Sequence, residues 1–129
     1  MKVESMEIAR RDYPEIGRPG GPFCHAARAG AFLFISGATA GGTEAADGTA
    51  AQQAEAVLQK LLHILAAEGA TLANVVKVTV FLTDINDRAA IAAVRQKYFQ
   101  GVYPASTLVE VSALAAANLR VEIEAIAVL

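Results

Sequence analysis

Two glutamates on one apolar segment near the C-terminal end are the residues best suited to acid–base chemistry. Glu122 and Glu124 are separated by a single residue and flanked by aliphatic side chains, so on a strand they share one face. A carboxylate on such a strand must be ion-paired, hydrated in a cleft or partly protonated. At a cleft between subunits, one of them would serve as a general base. A solvent-facing or salt-bridged pair is the plain structural alternative.

A cysteine and a histidine are adjacent at Cys24 and His25, which raises the possibility of a nucleophile with its base. In extended backbone, however, neighbouring side chains point to opposite faces, so the two cannot readily share a proton. The pattern favours a small buried cysteine beside a strand-edge histidine. The second histidine, His63, lies opposite the apolar stripe of a predicted helix and is typical of a solvated surface residue.

Other catalytic and cofactor motifs are absent from the sequence. It contains no phosphate-binding loop, no G-x-G-x-x-G, no H-E-x-x-H, no C-x-x-C and no nucleophile elbow. Two histidines and one cysteine make a dedicated metal site improbable. We therefore predict neither a metal nor an organic cofactor.

Composition predicts a globular cytoplasmic protein. With 129 residues, 54% of them hydrophobic, residues 1–129 should form one domain with its own core, and residues 1–19 its N-terminal strand and arm. The net charge of −2 argues against a nucleic-acid partner. No apolar run is long enough to span a membrane or suited to a signal peptide, and a single cysteine fits a reducing compartment.

Periodicity predicts an α/β (α+β) fold in the order β-β-β-α-β-α-β-β. Apolar residues recur at helical spacing after a capping box at Thr49 and Gln52, and Gly69 is suited to end that helix. The pattern predicts strands over 3–9, 75–82, 107–111 and 120–128, a hairpin over 25–40 that turns near Gly30, and helices over 50–68 and 87–99.

Two helices are enough to cover only one face of the resulting mixed sheet. On the strand 75–82, Val76, Val78, Val80 and Leu82 should share the covered face. The other face then includes apolar side chains such as Phe81, Ile126 and Val128. An exposed apolar face usually marks a partner, and a second copy of the chain is the economical choice.

Five segments in order resemble the RidA/YjgF family. They are 21–26 (GPFCHA), 33–37 (LFISG), 75–87 (VVKVTVFLTDIND), 103–111 (YPASTLVEV) and 121–127 (VEIEAIA). The resemblance runs from about residue 20 to the end. It implies a chorismate-mutase-like fold, a homotrimer with ligand clefts between subunits, and hydrolysis of reactive enamines and imines to ammonia and a 2-keto acid without a cofactor.

The resemblance also implies roles for particular residues. Glu122 would position the water and act as the catalytic acid/base. His25, which the family pattern does not supply, is a possible second proton group. The remaining substrate-binding positions would form the cleft, with its floor at Ser106 and Thr107 and its wall at Phe23, Cys24, Ser36 and Gly37.

The chain departs from the family where the substrate carboxylate would bind. Ser106 replaces the arginine of P-A-R-S, Phe23 replaces a tyrosine, and Cys24-His25 replace Ser-Gln. Loss of a charged hydrogen bond worth roughly 1.5–3 kcal/mol should reduce carboxylate affinity by at least about one or two decades. The chain therefore resembles an atypical subgroup of the family that lacks this arginine, and we predict an enamine or imine deaminase with atypical substrate choice.

Three explanations of this departure remain open. The substrate could be an atypical imine without that carboxylate. Another cation, such as Arg18, Arg28 or Arg120, could reach the cleft. Alternatively, the chain could be a non-catalytic small-molecule-binding or chaperone-like trimer.

Overall fold

The computed structural model describes residues 6–129 and contains the predicted elements in the predicted order. The first strand was predicted over 3–9, partly outside the described residues, and within them it begins at Ile8. The elements are β1 (Ile8–Arg11), β2 (Ala26–Ala29), β3 (Phe32–Ala38), α1 (Ala50–Ala67), β4 (Val75–Leu82), α2 (Arg88–Phe99), β5 (Ala105–Glu110) and β6 (Val121–Val128). Short 3-10 turns occupy Pro14–Ile16, Leu72–Asn74 and Ile85–Asp87.

The six strands form one mixed sheet in the order β1-β2-β3-β6-β4-β5. β6 is antiparallel to both of its neighbours, β3 and β4, and β4 is parallel to the edge strand β5. Two helical crossovers, β3-α1-β4 and β4-α2-β5, therefore join parallel strands. This arrangement confirms the prediction of a mixed sheet with crossover helices.

The core lies between the helices and one face of the sheet. Helix α1 begins at the predicted capping box, in which Thr49 and Gln52 exchange hydrogen bonds, and Gly69 follows it with a φ of +74°. Its buried apolar stripe packs with the sheet residues Leu33, Val80 and Ile123 in one cluster. The stripe comprises Ala54, Val57, Leu58, Leu61, Ile64 and Leu65.

Gln53 is the buried polar residue of this core and joins two loops. Its Nε2 donates to the carbonyls of Ala46, Gly48 and Asn118 at 2.9–3.2 Å, and its Oε1 accepts from the Arg120 N–H at 2.8 Å. Its side chain is fully buried, so these bonds replace the water that the amide loses. Gln53 thus fixes the entry into β6.

Two β-bulges change which side chains reach the core. Ile35 pairs with Ala125 and Ala38 pairs with Ile123, so β3 carries one extra residue in the segment Ser36–Gly37. A second register shift lies between Val75 and Lys77. This shift interrupts the alternation of side chains along β4 at Val76, and the Val76 side chain is 43% exposed. The prediction that Val76 shares the covered face was therefore wrong, because periodicity does not register a bulge.

The face of the sheet opposite the helices includes apolar side chains, as predicted. Phe32 and Phe34 are each nearly half exposed there, and Phe81 and Ile126 are partly buried. Among residues 6–129, no helix combines the length and apolarity that crossing a bilayer requires.

Candidate functional site

A broad groove lies where the β3 bulge meets β6, the arm before β2 and helix α1. Five of the eight predicted site residues line it, together with Arg18 and Lys60. Those five are Phe23, His25, Ser36, Gly37 and Glu122. Of the residues predicted for the site, the chain therefore brings together Glu122, His25 and the bulged segment Ser36–Gly37.

Glu122 projects from β6 on the face opposite the helices, as alternation along the strand requires. It is half-buried, and among residues 6–129 no cation lies within 4 Å of its carboxylate. Burial, with a smaller contribution from the charge of Glu124, raises the pKa of Glu122. A carboxyl with a raised pKa keeps its proton to a higher pH than an exposed glutamate, which suits a group that takes up and releases a proton.

Gly37 provides the space that the Glu122 side chain occupies. A Cβ at position 37 would lie 2.8 Å from Glu122 Cδ and closer still to Oε2. Neither distance is compatible with van der Waals contact. The bulge and the glycine together allow the carboxyl to lie directly against the backbone of β3.

Ser36 ties the bulge to the segment before β2. Its Oγ donates to the carbonyl of Cys24 at 2.7 Å, and its N–H donates to the carbonyl of His25 at 2.9 Å. Cys24 is half-buried and its thiol is free. These bonds hold Phe23, which is 50% exposed, beside the groove.

The ring of His25 is fixed by the neighbouring loop. Nδ1 accepts from the Tyr13 N–H at 2.9 Å, the ring stacks on Tyr13 with centroids 6.0 Å apart, and the His25 N–H donates to Asp12 Oδ1. Because Nδ1 is an acceptor, the proton of the neutral ring is on Nε2. His25 can therefore donate a hydrogen bond from Nε2.

Tyr13 is held in turn by a nearly buried carboxylate. Its hydroxyl donates to Glu68 Oε1 at 2.7 Å, and Arg11 Nε lies 3.1 Å from the same oxygen. Burial, followed by the hydrogen bond to Glu68, raises the pKa of Tyr13 well above its usual range. Sequence reasoning gave no role to this group, which keeps the His25 ring in place.

The two remaining predicted residues on β5, Ser106 and Thr107, do not line the groove of one chain. Thr107 faces the same side of the sheet as Glu124, across Thr79, and its Oγ1 accepts from Lys77 Nζ at 2.7 Å. Two strand spacings, about 10 Å, separate them. Ser106 lies on the opposite face, towards α2.

Ser106 accepts a hydrogen bond from a residue that the sequence analysis missed. Arg95 Nη2 on α2 donates to Ser106 Oγ at 2.8 Å. No motif marks Arg95, and only the packing of α2 beside β5 brings the two together. The three arginines considered from the sequence lie elsewhere. Arg18 lines the groove, Arg28 Nε donates to the Gly30 carbonyl, and Arg120 lies 3.9 Å from Asp87.

The architecture and the sequence both match those of known proteins. The fold is a mixed α+β, chorismate-mutase-like fold, and the model of the family described as Endoribonuclease L-PSP matches residues 15–129. The chain belongs to this family, which is the YjgF/RidA family of the sequence analysis. A protein of unknown function from Pseudomonas aeruginosa, PA3499, has a similar crystal structure, with a TM-score of 0.88 and 37% identity over 97% of this chain and 94% of that one.

Two relatives of similar sequence carry different names. Protein DfrA of Myxococcus xanthus is 41% identical over 116 residues, which cover 84% of this chain and 86% of that protein. The 2-iminobutanoate/2-iminopropanoate deaminase of Bos taurus is 40% identical over 113 residues, covering 84% of this chain and 80% of that protein.

Proposed function

We propose that this protein is a hydrolytic deaminase of enamines and imines that releases ammonia, and that it works as a homotrimer with clefts between subunits. The observation that carries the proposal is Glu122, a half-buried carboxyl with a raised pKa, no cation within 4 Å among residues 6–129, and a place in the groove. The name of the bovine relative supports the same reaction class.

The reaction needs one acid/base group and one water. Glu122, as carboxylate, takes a proton from water while the water oxygen bonds to the imine carbon and the C=N electron pair moves to nitrogen. Glu122 passes this proton to the nitrogen, then takes the proton of the new hydroxyl and passes it to the nitrogen as well. The C–N bond breaks, and ammonia leaves as the carbonyl forms. Imine and water thus yield carbonyl compound and ammonia, and Glu122 returns to its initial state.

His25 assists this step as a hydrogen-bond donor. Its Nδ1 is occupied by the Tyr13 N–H, so Nε2 is left to donate towards the charge that develops on the substrate or water. The Tyr13–Glu68 pair keeps the ring from turning. In this proposal, Phe23 and the backbone at Ser36–Gly37 shape the wall.

The proposed trimer explains why the groove is open in one chain. Glu122 lies on the same sheet face as the exposed Phe34 and the partly buried Ile126. Packing of this face against a second copy would bury the aromatic side chains and exclude water around Glu122, which strengthens electrostatic interactions in the cleft.

The decisive experiment measures ammonia released from freshly generated 2-iminobutanoate and from an imine that lacks a carboxylate. We expect turnover with the parent and a loss of about 100-fold or more with Glu122→Gln. Glu124→Gln is the matched variant on the same strand. It should remain active, with its pH–rate profile shifted to lower pH because the Glu124 charge contributes to the raised pKa of Glu122. Full turnover by Glu122→Gln would refute the assigned role.

Ser106 in place of the family arginine favours one alternative, a non-catalytic small-molecule-binding or chaperone-like trimer. Such a binding protein would gain thermal stability with ligand by RT ln(1 + [L]/Kd) and release no ammonia from either imine. A chaperone would suppress aggregation of a client without saturation by a small molecule.

Cleavage of RNA, which the family description names, has less support. The chain carries a net charge of −2, and Glu122 and Glu124 face the groove. Two carboxylates at this position would repel phosphate rather than bind it.

A further inference from the structure

Lys60 is a half-buried cation whose ammonium is bound by backbone carbonyls rather than by a carboxylate. It projects from α1 and lines the groove, and its Nζ donates to the carbonyl of Thr39 at 2.7 Å and to that of Gly41 at 2.9 Å. Among residues 6–129, no carboxylate lies within 4 Å of this ammonium. Burial lowers the pKa of Lys60, because the charged form loses water there. The two hydrogen bonds therefore offset a desolvation cost that an apolar residue at position 60 would not have.

These two bonds hold the chain directly after the β3 bulge. Thr39 follows the last residue of β3, and Gly37, whose backbone lies against the Glu122 carboxyl, is two residues earlier. The bulge is thus held at both ends, by the hydroxyl of Ser36 on one side and by Lys60 on the other. A displacement of the loop would reach Gly37 within two residues, about 7 Å of chain.

We propose that Lys60 is a positioning residue, whose ammonium fixes the exit of the β3 bulge and thereby fixes where the Glu122 carboxyl lies. As a contribution to deamination, this role rests on the proposed function. As a contribution to the placement of Glu122, it can be tested on the protein without any substrate.

A direct effect of the Lys60 charge on Glu122 would act in the opposite direction. A nearby cation favours the carboxylate, so its removal would raise the pKa of Glu122. Burial and the charge of Glu124 are what raise that pKa in the parent. Release of the loop would let water reach the carboxyl and lower its pKa towards the usual value. The sign of the change therefore separates positioning from a direct charge effect.

The test measures the pKa of Glu122 by NMR titration of the intact protein with ¹³C-labelled glutamate, in which the resonance is assigned by its absence from Glu122→Gln. Lys60→Met removes the donors but keeps an unbranched side chain, and it should lower this pKa by about 0.5 or more. Lys97→Met is the matched control. It removes the same charge from an exposed lysine on α2 and should leave the pKa of Glu122 unchanged.

Two further substitutions keep the test decisive if Lys60→Met does not fold. Lys60→Arg retains a cation with donors for both carbonyls and should keep the parent pKa of Glu122. Lys60→Gln retains one amide that can serve a carbonyl and should give an intermediate value. Urea midpoints identify any unfolded variant, and the Lys60→Gln value then decides.

In the ammonia assay, Lys60 should act through Glu122. Lys60→Met should lower kcat for 2-iminobutanoate about 10-fold or more and leave KM within about threefold, because the general base is misplaced. In the Glu122→Gln background, the same substitution should lower kcat less than about twofold, because no carboxylate remains to be misplaced. A merely structural contribution would lower kcat equally in both backgrounds.

The outcomes distinguish this inference from the proposed function. An unchanged or raised pKa of Glu122 in folded Lys60→Met would overturn the positioning role, whatever the ammonia assay shows. Equal losses of kcat with and without Glu122 would overturn it as well. A lowered pKa in Lys60→Met, together with a parent that releases no ammonia, would support the placement of Glu122 by Lys60 and refute the deaminase proposal instead.

Discussion

Replacing Gly37 by alanine should move the Glu122 carboxyl without altering its charge. The new Cβ would lie 2.8 Å from Glu122 Cδ, whereas carbon atoms in contact are about 3.5–4.0 Å apart, so the carboxyl must shift by about 1 Å. Gly37 has no positive φ, so alanine fits the backbone, and the flexible end of Glu122 is the part that yields.

A shift of this size should affect activity more than stability. Misplacement of a catalytic group by about 1 Å can cost about 100-fold in rate, which corresponds to about 2.7 kcal/mol in the activation free energy. Overpacking by one methyl group against a movable side chain should cost about 1 kcal/mol in the free energy of unfolding.

The assay compares kcat/KM for ammonia release from 2-iminobutanoate with the urea midpoint of the same variant. Gly20→Ala is the control, because its Cβ meets no atom within 4 Å and its φ is ordinary, so it should lose less than about threefold in rate. If Gly37→Ala kept the parent kcat/KM, the position of the Glu122 carboxyl could not matter as argued.

Three further variants test the surrounding structure by urea unfolding. Because the pKa of Glu122 is raised, its contribution to the free energy of unfolding is complete below the unfolded-state pKa of about 4.3. That contribution is lost as the pH rises through the folded-state pKa. Glu122→Gln should therefore be more stable than the parent at pH 7 but not at pH 4. Gln53→Met should cost about 3 kcal/mol because it leaves buried loop groups unpaired, whereas Gln96→Met on the exposed face of α2 should be nearly neutral. Tyr13→Phe should lower the free energy of unfolding by about 1–2 kcal/mol, because the hydrogen bond to Glu68 is lost. An unchanged urea midpoint would contradict a stabilising role for this bond.

Much of the fold was predictable because its signals are local. Thr49 and Gln52 mark the start of α1, Gly30 lies at the hairpin turn, and alternation along 121–128 places Glu122 and Glu124 on one face. Each of these signals depends on a few neighbouring residues. The sequence therefore predicted the element order and, with the exception of Val76, the sheet faces, and the structure confirms them.

The unpredicted parts depend on pairing between distant segments. The bulge that exposes Val76 exists only relative to β6, and the Tyr13–Glu68 bond joins residues 55 positions apart. Arg95 meets Ser106 because α2 lies beside β5, which no spacing rule specifies. The roles of the predicted site residues stay predictions until the variants above are measured.

The bonds of Gln53 have a consequence for how loops in this fold can change during evolution. A single buried amide holds the loop before α1 at Ala46 and Gly48, and the loop before β6 at Asn118 and Arg120. An insertion in either loop would displace groups that the other loop depends on. Chimaeras between relatives should therefore fold well only when both loops come from the same parent.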